Sequence, residues 1–584
     1  MTVSRIREKA QLDREVVVVG GGPVGLCMAL QLGRLGISTT LLERRGGPTR
    51  HPKATGVHGK TMEIFRQWNI AQRVRDAGGL SPEWSSFVWV TRMMGEEIGK
   101  IDLMQDIDRL SEAMTHSPEF LAWCSQDVIE PVLRNAILDY PCVCVQYGSS
   151  LQQFSQDSDG VTVQVKHADG VDKTLRARYL AAADGAYSGI RDSLGIATTG
   201  GAPFDHHINV CFRAELQPFF GTRRHMMWWV INPDTVGTLI TLNGHNRWIY
   251  QIHYDAATTV AADFTPAVCA STIRRAIGDD SVEIDIESIL PWHLDFALAD
   301  RFGAGRAFLI GDAAHRFPPT GGFGMNSGIA DAHNLAWKLA FVIRGQARAS
   351  LLDTYEVERR PVAEQNIRQS MENTAQVDAV GLTRDPASIR AIEGEGGRKV
   401  REQIAAGIPR LREGYWSQGQ QFGFIYRSSA VMDDGSVAEL STVSDYHMTA
   451  HPGARAPHLW ITGRDGRLSA IDLFGDRFVL LAGAHGRDWV NALSVVGHEC
   501  GIEAAGYVIG AQGDFVEESG SWAELYGVSD SGAVLVRPDG HVAFRSVNAV
   551  ADPAAALRDA LTTLLGVRST ARLRAQAVAS PGHD

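Results

Sequence analysis

The chain has 584 residues, which is too long for one compact core, so two or three domains are expected. A formal net charge of −11 argues against a broad phosphate-binding surface and therefore against nucleic acid as a partner. The N-terminal residues are charged where a signal peptide would be apolar, and no apolar run of about twenty residues free of charge occurs, which predicts a cytoplasmic protein without a membrane span.

The cysteines and histidines give no sign of a metal site. The seven cysteines include no C-x-x-C pair, which favours scattered reduced thiols over a disulfide framework. No cluster of His and Cys has the spacing of metal ligands, so no metal is expected. The partners predicted are therefore small molecules, and a homodimer is the assembly considered.

The first predicted element is a buried parallel strand, Val16 to Val19, followed by a glycine-rich turn and a helix. Gly20, Gly22 and Gly25 follow the pattern G-x-G-x-x-G, which permits a tight turn and lets backbone amides approach a pyrophosphate. A second strand leads to Glu43, whose carboxylate can accept hydrogen bonds from a ribose. This order of strand, turn, helix, strand and acid predicts a dinucleotide site.

Three basic residues come before and at the start of the next predicted helix, which has helical spacing from about Lys60 onward. Arg50 and Lys53 precede it. One interpretation is an ordinary solvated face; the other is a set of cations near a nucleotide phosphate. The sequence leaves both open.

Two later segments combine a strand that ends in an acid with a helix that follows. In "LAAADGAYSGIRDSLGI" the acid is Asp184, and Ser188 and Arg191 open the helix. In "LIGDAAHRFPPTGGFGMNSG" the acid is Asp312, and the helix starts at Asn326. Prolines stiffen this second loop and glycines clear its surface. Such a loop suits a flat aromatic ring stacked on the backbone, with helix amides stabilising negative charge on the ring.

Taken together, GGGPVG, ADGAYSGIR and GDAAHRFPPTGGFGMNSG resemble, in order, the three signatures of the single-component aromatic flavoprotein monooxygenases, the p-hydroxybenzoate hydroxylase-like family. The resemblance covers about Val16 to Pro361. It implies an α/β fold: a Rossmann-like FAD-binding domain, an inserted and mainly antiparallel β-sheet domain for the substrate, and a C-terminal thioredoxin-like domain.

The resemblance also implies the cofactors, non-covalent FAD with NADPH or NADH as co-substrate. Asp312 would bind the ribityl chain, and Asp184 and Arg191 would serve both FAD and the nicotinamide cofactor. Gln126 has a second interpretation as a helix cap. The residues assigned to cofactor binding are Gly20, Gly22, Gly25, Glu43, Arg44, Lys53, Gln126, Asp184, Arg191, Asp312, Pro319, Gly322, Gly324, Met325 and Asn326.

By this resemblance the enzyme would hydroxylate a phenolic or other activated aromatic substrate with dioxygen, through a flavin hydroperoxide. One alternative is a Baeyer–Villiger or hydroxylating oxygenation of a polyketide or antibiotic. An alternative of another class is a FAD-binding redox sensor without turnover. Substrate-stimulated oxidation of NAD(P)H separates the enzymes from the sensor.

Between the second and third motifs, alternating strand-like runs such as "RWIYQIHY" predict an antiparallel sheet with one wet face. In this family the insert covers the flavin and forms the substrate site. The candidate pocket residues are Met226, Trp228, Tyr250, Trp292 and Pro319. Thr55 stands where related phenol hydroxylases carry an acid or a histidine, so the base is predicted among His58, Tyr250, His253 and His293, unless the substrate ionises by itself.

The predicted domain limits are 14–196 and 291–375 for the discontinuous FAD-binding domain and 197–290 for the substrate sheet. A helical segment and linker would span 376–450, and the thioredoxin-like domain 451–568. Because the last domain contains no C-x-x-C, a redox role is not expected for it. Dimer contact or stabilisation is the expected use.

Overall fold

The computed structural model describes residues 12–380, 386–518 and 522–567. Three principal units of sheet structure are present: an eight-stranded mixed sheet with its helices, called here the α/β body, a seven-stranded sheet, and a four-stranded sheet in the C-terminal domain. Residues 386–450, called here the connecting segment, join the α/β body to the C-terminal domain. The α/β class and the inserted, mainly antiparallel sheet are confirmed.

The centre of the α/β body is a row of five parallel strands. The valines of Arg14–Val19 are almost completely buried, as expected for a strand covered on both faces. Glycines and acids of the predicted motifs follow the carboxyl ends of these strands, where α/β sheets bind ligands. In spatial order the strands are Gly303–Ala304, Ala307–Leu309, Asp172–Ala182, Arg14–Val19, Thr39–Glu43 and Val143–Tyr147, with Ser149–Gln156 and Val161–His167 forming an antiparallel extension beside Asp172–Ala182.

Helix Phe323–Ile343 runs through the middle of the molecule. Most of its side chains are buried, including polar ones, and it packs on Pro23–Arg34 and Asp353–Ala379. A helix that is buried on nearly every side is fixed in place by its neighbours. The other helices of the body are Gly59–Gln67, Ala71–Gly78, Ile107–His116, Gln126–Ile137 and Gly189–Ser193. One small sheet pairs Gly56–Val57 with Ala122–Trp123, and in another Ala297–Ala299 lies between Thr198–Gly200 and His315–Arg316.

The seven-stranded sheet extends beyond the predicted limits of 197–290. It takes in Ser86–Val90 and Glu97–Asp102, and Ser86–Val90 pairs in parallel with Met227–Asn232. Such a pairing between distant segments leaves no local signal, so it could not be predicted from the sequence. The spatial order is Asp285–Leu294, Asp205–Arg213, Arg247–Tyr254, Thr235–Thr241, Met227–Asn232, Ser86–Val90 and Glu97–Asp102, with helices Gln217–Phe220 and Pro266–Ile277 in its connections.

The connecting segment is helical in part, with Pro386–Ala391, Arg398–Gly407, Arg412–Tyr415 and Gln418–Phe422. In the C-terminal domain the strand order is Ala504–Val508, Phe478–Ala482, Ala533–Val536 and Val542–Ser546, and only the first pair is parallel. Its thioredoxin-like character stays a prediction. The remaining elements are strands Trp460–Gly463, Gly466–Ser469 and Val516–Glu517 and helices Arg487–Cys500, Trp522–Tyr526 and Pro553–Leu564.

All seven cysteines are free. Among the described residues, no helix combines the length and the apolar character needed to cross a membrane.

Several histidines lie in the interior. Burial lowers the pKa of His58 to about 4 and that of His333 to about 3. The folded protein therefore holds both rings in the neutral form.

We expect the free energy of unfolding to fall as the pH drops from 6.5 towards 4. The unfolded chain protonates His58 and His333 near pH 6.5, whereas the folded chain resists protonation, so unfolding takes up protons in this window. Urea titrations across the window measure the effect, and His333→Gln should make the dependence shallower. A stability that does not change with pH in this range contradicts the expectation.

Candidate cofactor and substrate site

In the first glycine-rich turn, two glycines lie against backbone atoms and one borders open space. A Cβ at Gly20, where φ is +109°, would lie 2.1 Å from the carbonyl oxygen of Ala183, and one at Gly25 would lie 1.9 Å from the carbonyl oxygen of Gly20. Nothing lies within 4 Å of a Cβ at Gly22. Gly22 precedes helix Pro23–Arg34, whose first amides have no acceptor inside the helix. The turn thus leaves both room and donors for a phosphate.

Glu43 closes this turn from the neighbouring strand. Its Oε2 accepts a hydrogen bond from the Gly21 N–H at 2.6 Å, and its Oε1 accepts bonds from the backbone and side chain of Arg45 at 2.8 and 3.0 Å. Burial raises the pKa of Glu43, but the hydrogen bonds from Arg45 outweigh burial and hold the pKa below its ordinary value. Arg44, which the sequence analysis assigned to cofactor binding, is exposed. It has no hydrogen bond or ion pair to any described residue.

Asp312 follows strand Ala307–Leu309 and has no hydrogen bond or ion pair within the described part of the chain. Its side chain is accessible, yet the surrounding protein is dense enough that burial raises its pKa. The charges of His315, Lys53 and Arg316 partly offset this effect. The two observations agree if the carboxyl group lies at the wall of a deep cleft. Such a group is suited to accept hydrogen bonds from ligand hydroxyls.

A second carboxylate, Asp331, holds the loop that carries Asp312. Asp331 accepts hydrogen bonds from the Gly311 N–H at 3.1 Å, from His315 Nε2 at 2.6 Å and from Arg359 Nε at 2.8 Å. Burial raises the pKa of Asp331, but the interactions with His315 and Arg359 outweigh it and hold the pKa at about 2. The fully buried group is therefore charged, and it fixes the backbone just before Asp312. Sequence reasoning missed this role.

Asn326 ties the proline-glycine loop to the α/β body. In the loop, Gly321 and Gly322 have φ values of +103° and +72°, which glycine adopts without strain. Asn326 Nδ2 donates to the carbonyl oxygens of Gly322 and Gly56 at 2.7 and 3.1 Å. Its Oδ1 accepts from the His58 N–H at 2.9 Å. One side chain in the first turn of the helix therefore fixes the shape of the loop.

The predicted flavin-facing residues near Asn326 border free space. Nothing lies within 4 Å of a Cβ at Gly324, Pro319 and Gly322 are exposed, and Met325 is half-buried. This part of the loop can accept a planar group without displacing side chains.

His58 is held in a structural role rather than that of a base. Its Nε2 donates to the carbonyl oxygen of Gly321 at 2.9 Å, and its ring packs edge-on against Phe323. Burial lowers the pKa of His58 to about 4, which makes it a poor proton acceptor at neutral pH. We therefore exclude His58 from the predicted bases.

The second motif makes contact with the third. Arg191 donates to the carbonyl oxygens of Ala186 and Ala313, both at 3.2 Å. Asp184 Oδ2 accepts from the Ile190 N–H at 3.2 Å, whereas its buried Oδ1 has no hydrogen-bond partner among the described residues. Burial raises the pKa of Asp184. The unpartnered oxygen beside this junction is a position that a ligand donor can satisfy.

The two lysines predicted near the cofactor lie in different surroundings. Lys53 is exposed, and its charge acts on Asp312. Lys60 points into the interior, where burial lowers its pKa to about 8. Of the two, only Lys53 is thus placed beside the Asp312 cleft.

Gln126 begins a helix and donates through Nε2 to Glu130 Oε1 at 2.8 Å.

One face of the seven-stranded sheet packs on helix Pro266–Ile277, and the predicted pocket residues Trp228 and Tyr250 belong to that apolar core. Tyr250 is fully buried, and its hydroxyl is 2.9 Å from Thr235 Oγ1. Both side chains therefore point away from the α/β body, which corrects their prediction as pocket residues and that of Tyr250 as a base. Successive strand residues face opposite sides, and the sequence did not show which side was which.

The opposite face of the sheet is turned towards the α/β body. The Ser288 hydroxyl is 2.7 Å from His51 Nδ1, and Arg247 Nη1 donates to Asp127 at 2.5 Å. Trp229, one residue after the predicted Trp228, lies on this face and donates to the Tyr415 hydroxyl at 3.2 Å. Aromatic side chains of the sheet and the connecting segment therefore meet on the side of the candidate cofactor.

Two predicted pocket residues are on this body-facing side. Trp292 donates to Asn209 Oδ1 at 2.8 Å and stacks on His207 with ring centroids 4.6 Å apart. Met226 packs with Cys211 in a small apolar cluster. His207, Asn209 and Trp229 were missed, although they belong to the runs predicted as strands.

His253 and His293 differ in orientation. His253 shares the body-facing side, and its Nε2 lies 2.8 Å from Asp205 Oδ1. His293 pairs across the strands with His206, on the other side, and its Nε2 is 3.7 Å from Asp295. Of the predicted bases, His253 alone combines the body-facing side with a carboxylate at hydrogen-bond distance.

A cavity of about 760 Å³ lies between helices of the α/β body and the C-terminal domain, away from these residues. Its arginines include Arg66 and Arg75, which are paired with Asp472 and Glu119. Their charges are therefore neutralised within the protein, and none of the predicted site residues lines this cavity.

The geometry fits a dinucleotide cofactor with a polyhydroxyl chain and a planar ring. Gly22 leaves space beside helix amides, and within the described part of the chain Asp312 and the buried Oδ1 of Asp184 are acceptors without a partner. The proline-glycine loop supplies an open backbone surface. FAD has the phosphates, hydroxyls and ring that these features accommodate.

Comparison with known proteins gives the same result. Residues 13–370 match the family described as FAD binding domain, and residues 449–567 match the family described as aromatic-ring hydroxylase, C-terminal. A putative polyketide hydroxylase of Streptomyces halstedii is 36% identical, over 94% of this chain and 97% of the relative. A 2,4-dichlorophenol 6-monooxygenase of Cupriavidus pinatubonensis is 32% identical, over 96% and 97%.

Solved structures resemble the whole chain. The flavin-dependent monooxygenase PieE in complex with FAD and substrate superposes with a TM-score of 0.88 at 32% identity, covering 96% of this chain and 100% of that one. Aklavinone-11 hydroxylase with FAD and aklavinone gives 0.82 at 33% identity, with the same coverage. The chain therefore belongs to the FAD-dependent monooxygenases that join a FAD binding domain to an aromatic-ring hydroxylase C-terminal domain.

Proposed function

We propose that this monooxygenase uses NAD(P)H and dioxygen to hydroxylate a phenolic or other activated aromatic substrate held between the seven-stranded sheet and the α/β body. The observation that carries the proposal is the unpartnered Asp312 beside an open proline-glycine loop, on the side of the body towards which Trp229 and Trp292 of the sheet are turned. FAD, when bound, supplies electron transfer from NAD(P)H and activation of dioxygen. The protein's part is to bind, orient and exclude water.

The cofactor roles follow from the contacts. Gly22 and the first amides of helix Pro23–Arg34 would hold the pyrophosphate, Glu43 the ribose, and Asp312 the ribityl chain. The amides from Gly322 to Asn326 would face the ring. Asp184, Arg191, Lys53 and Gln126 keep their predicted supporting roles, and Gly20 and Gly25 act by shaping the turn.

The substrate class we propose is a phenol that includes polycyclic, polyketide-type compounds. Relatives along nearly the whole chain are named as a putative polyketide hydroxylase, a tetracenomycin A2 monooxygenase-dioxygenase and an aklavinone 12-hydroxylase, and another is named for 2,4-dichlorophenol. In this chain Tyr415 stacks on Phe87 at 3.9 Å and meets Trp229. Aromatic side chains from the sheet and from the connecting segment suit a planar substrate.

The proton acceptor we propose is His253. A carboxylate at 2.8 Å from Nε2 orients the ring, so Nδ1 is the atom left to take a phenolic proton. Asp205 stays ionised, because the two histidines beside it outweigh the effect of its burial and lower its pKa. Thr55 cannot take this role at neutral pH.

Hydroxylation is preferred over Baeyer–Villiger oxygenation because the relatives are named as hydroxylases and monooxygenases of aromatic compounds. Analysis of the product distinguishes the two reactions. The homodimer, the cytoplasmic location and the choice of NADPH or NADH stay predictions.

The two glycines at positions 22 and 25 give a matched test of the cofactor site. Gly22→Ala should fold normally, because the backbone at −75°, −179° accepts a side chain, yet its methyl group would enter the pyrophosphate space and raise the Kd for FAD at least about tenfold. Gly25→Ala should instead destabilise the fold, because its Cβ meets the Gly20 carbonyl. Thermal unfolding and FAD titration of the apoprotein measure both. Wild-type affinity in folded Gly22→Ala contradicts the assignment.

His253→Gln should slow substrate-stimulated NAD(P)H oxidation and product formation by roughly 10²-fold or more at neutral pH. The deficit should shrink as the pH rises and the phenol ionises by itself. The assay uses a phenol that the wild type hydroxylates, and His293→Gln is the control, expected to keep the wild-type pH profile. An unchanged profile in His253→Gln, or equal losses in the two variants, rules out His253 as the base.

A further inference from the structure

Glu358 lies at a junction between the α/β body and the C-terminal domain. It accepts hydrogen bonds from Lys338 Nζ at 2.7 Å, from Asn334 Nδ2 at 2.7 Å and from both terminal nitrogens of Arg537 at 2.6 and 2.9 Å. The side chains of Glu358, Lys338 and Arg537 are 0% exposed. Arg537 belongs to the C-terminal domain, whereas the other three residues belong to helices of the α/β body. The contact therefore crosses between the two units.

A second acid, Asp539, belongs to the C-terminal domain and strengthens the same contact. Asp539 accepts from Arg537 Nε at 3.0 Å and from Asn334 Nδ2 at 3.2 Å. The amide of Asn334 thus bridges Glu358 and Asp539. Since all these groups are buried, loss of one charge leaves its partner without water to replace the contact.

This junction is continuous with the support of the FAD site. Glu358 precedes Arg359, and Arg359 donates to Asp331, which holds the Asp312 loop. Asp331, Asn334 and Lys338 are spaced three and four residues apart, so they occupy one side of helix Phe323–Ile343. The first turn of that helix carries the proline-glycine loop. A shift of helix Phe323–Ile343 along its axis would separate Asp331 from Arg359. It would at the same time separate Asn334 and Lys338 from Glu358.

We propose that Arg537 is a positioning residue for FAD, acting from the C-terminal domain through Glu358. By pairing with Glu358 and Asp539 it fixes the register of helices Phe323–Ile343 and Asp353–Ala379 and therefore the position of the Asp312 loop. The proposal rests on the proposed FAD site. It gives the C-terminal domain a function in cofactor binding although none of the predicted cofactor-binding residues belongs to that domain.

The test uses the full-length apoprotein and measures the Kd for FAD and the visible absorption spectrum of the bound flavin. Arg537→Met removes the charge and the hydrogen bonds to Glu358 and Asp539, and Arg537→Lys keeps the charge but loses the planar fork. Arg545→Met is the matched control. Arg545 is a half-buried arginine of the same domain, but it pairs with Asp434 and Ser436 in the connecting segment.

We expect Arg537→Met to raise the Kd for FAD at least tenfold and to alter the flavin spectrum, with Arg537→Lys between it and the wild type. Arg545→Met should keep the wild-type Kd even if its melting temperature falls. If Arg537→Met does not fold, the Kd of Arg537→Lys decides. Wild-type binding by the Arg537 variants, or equal losses in Arg545→Met, overturns the proposal. Failure of the wild type to bind FAD would instead reject the cofactor site itself.

Discussion

A buried negative charge at Asp331 is the constraint on which the candidate site depends. The carboxylate is fully enclosed, and it is satisfied by the Gly311 amide and His315 of the Asp312 loop and by Arg359 of helix Asp353–Ala379. A charge in such a place is tolerated only when its partners are correctly arranged. The arrangement leaves Asp312 free to face a ligand, because the loop is held by Asp331 instead.

The same helix organises the rest of the site. Asn326 in its first turn shapes the proline-glycine loop, and Lys338 in a later turn meets the C-terminal domain through Glu358. Cofactor loop, strand end and domain contact are thus attached to one rigid element. Sites supported by a helix are held more precisely than sites supported by loops alone. This explains how a cleft between several chain segments keeps one shape.

Much of the cofactor site could be predicted because its signals are local. Gly22 and Asp312 lie in turns whose glycine spacing follows directly from backbone geometry. The substrate side could not be predicted equally well, since a strand pattern does not say which face is turned inward, and Trp229 rather than Trp228 proved to face the body. Asp331 left a signal that was overlooked, because it is the single acidic residue in the sequence of helix Phe323–Ile343. Its partners are distant in sequence, so only the fold shows them.

The most direct test of this account is the affinity of Asp331→Asn for FAD. The substitution keeps the shape of the side chain but removes the charge that holds Gly311 and His315, and the residue itself lies behind the Asp312 loop. Asp472→Asn, which weakens an ion pair with Arg66 elsewhere, is the control. The account predicts a Kd for FAD raised at least about tenfold in Asp331→Asn and unchanged in the control. A folded Asp331→Asn protein with wild-type affinity would contradict it.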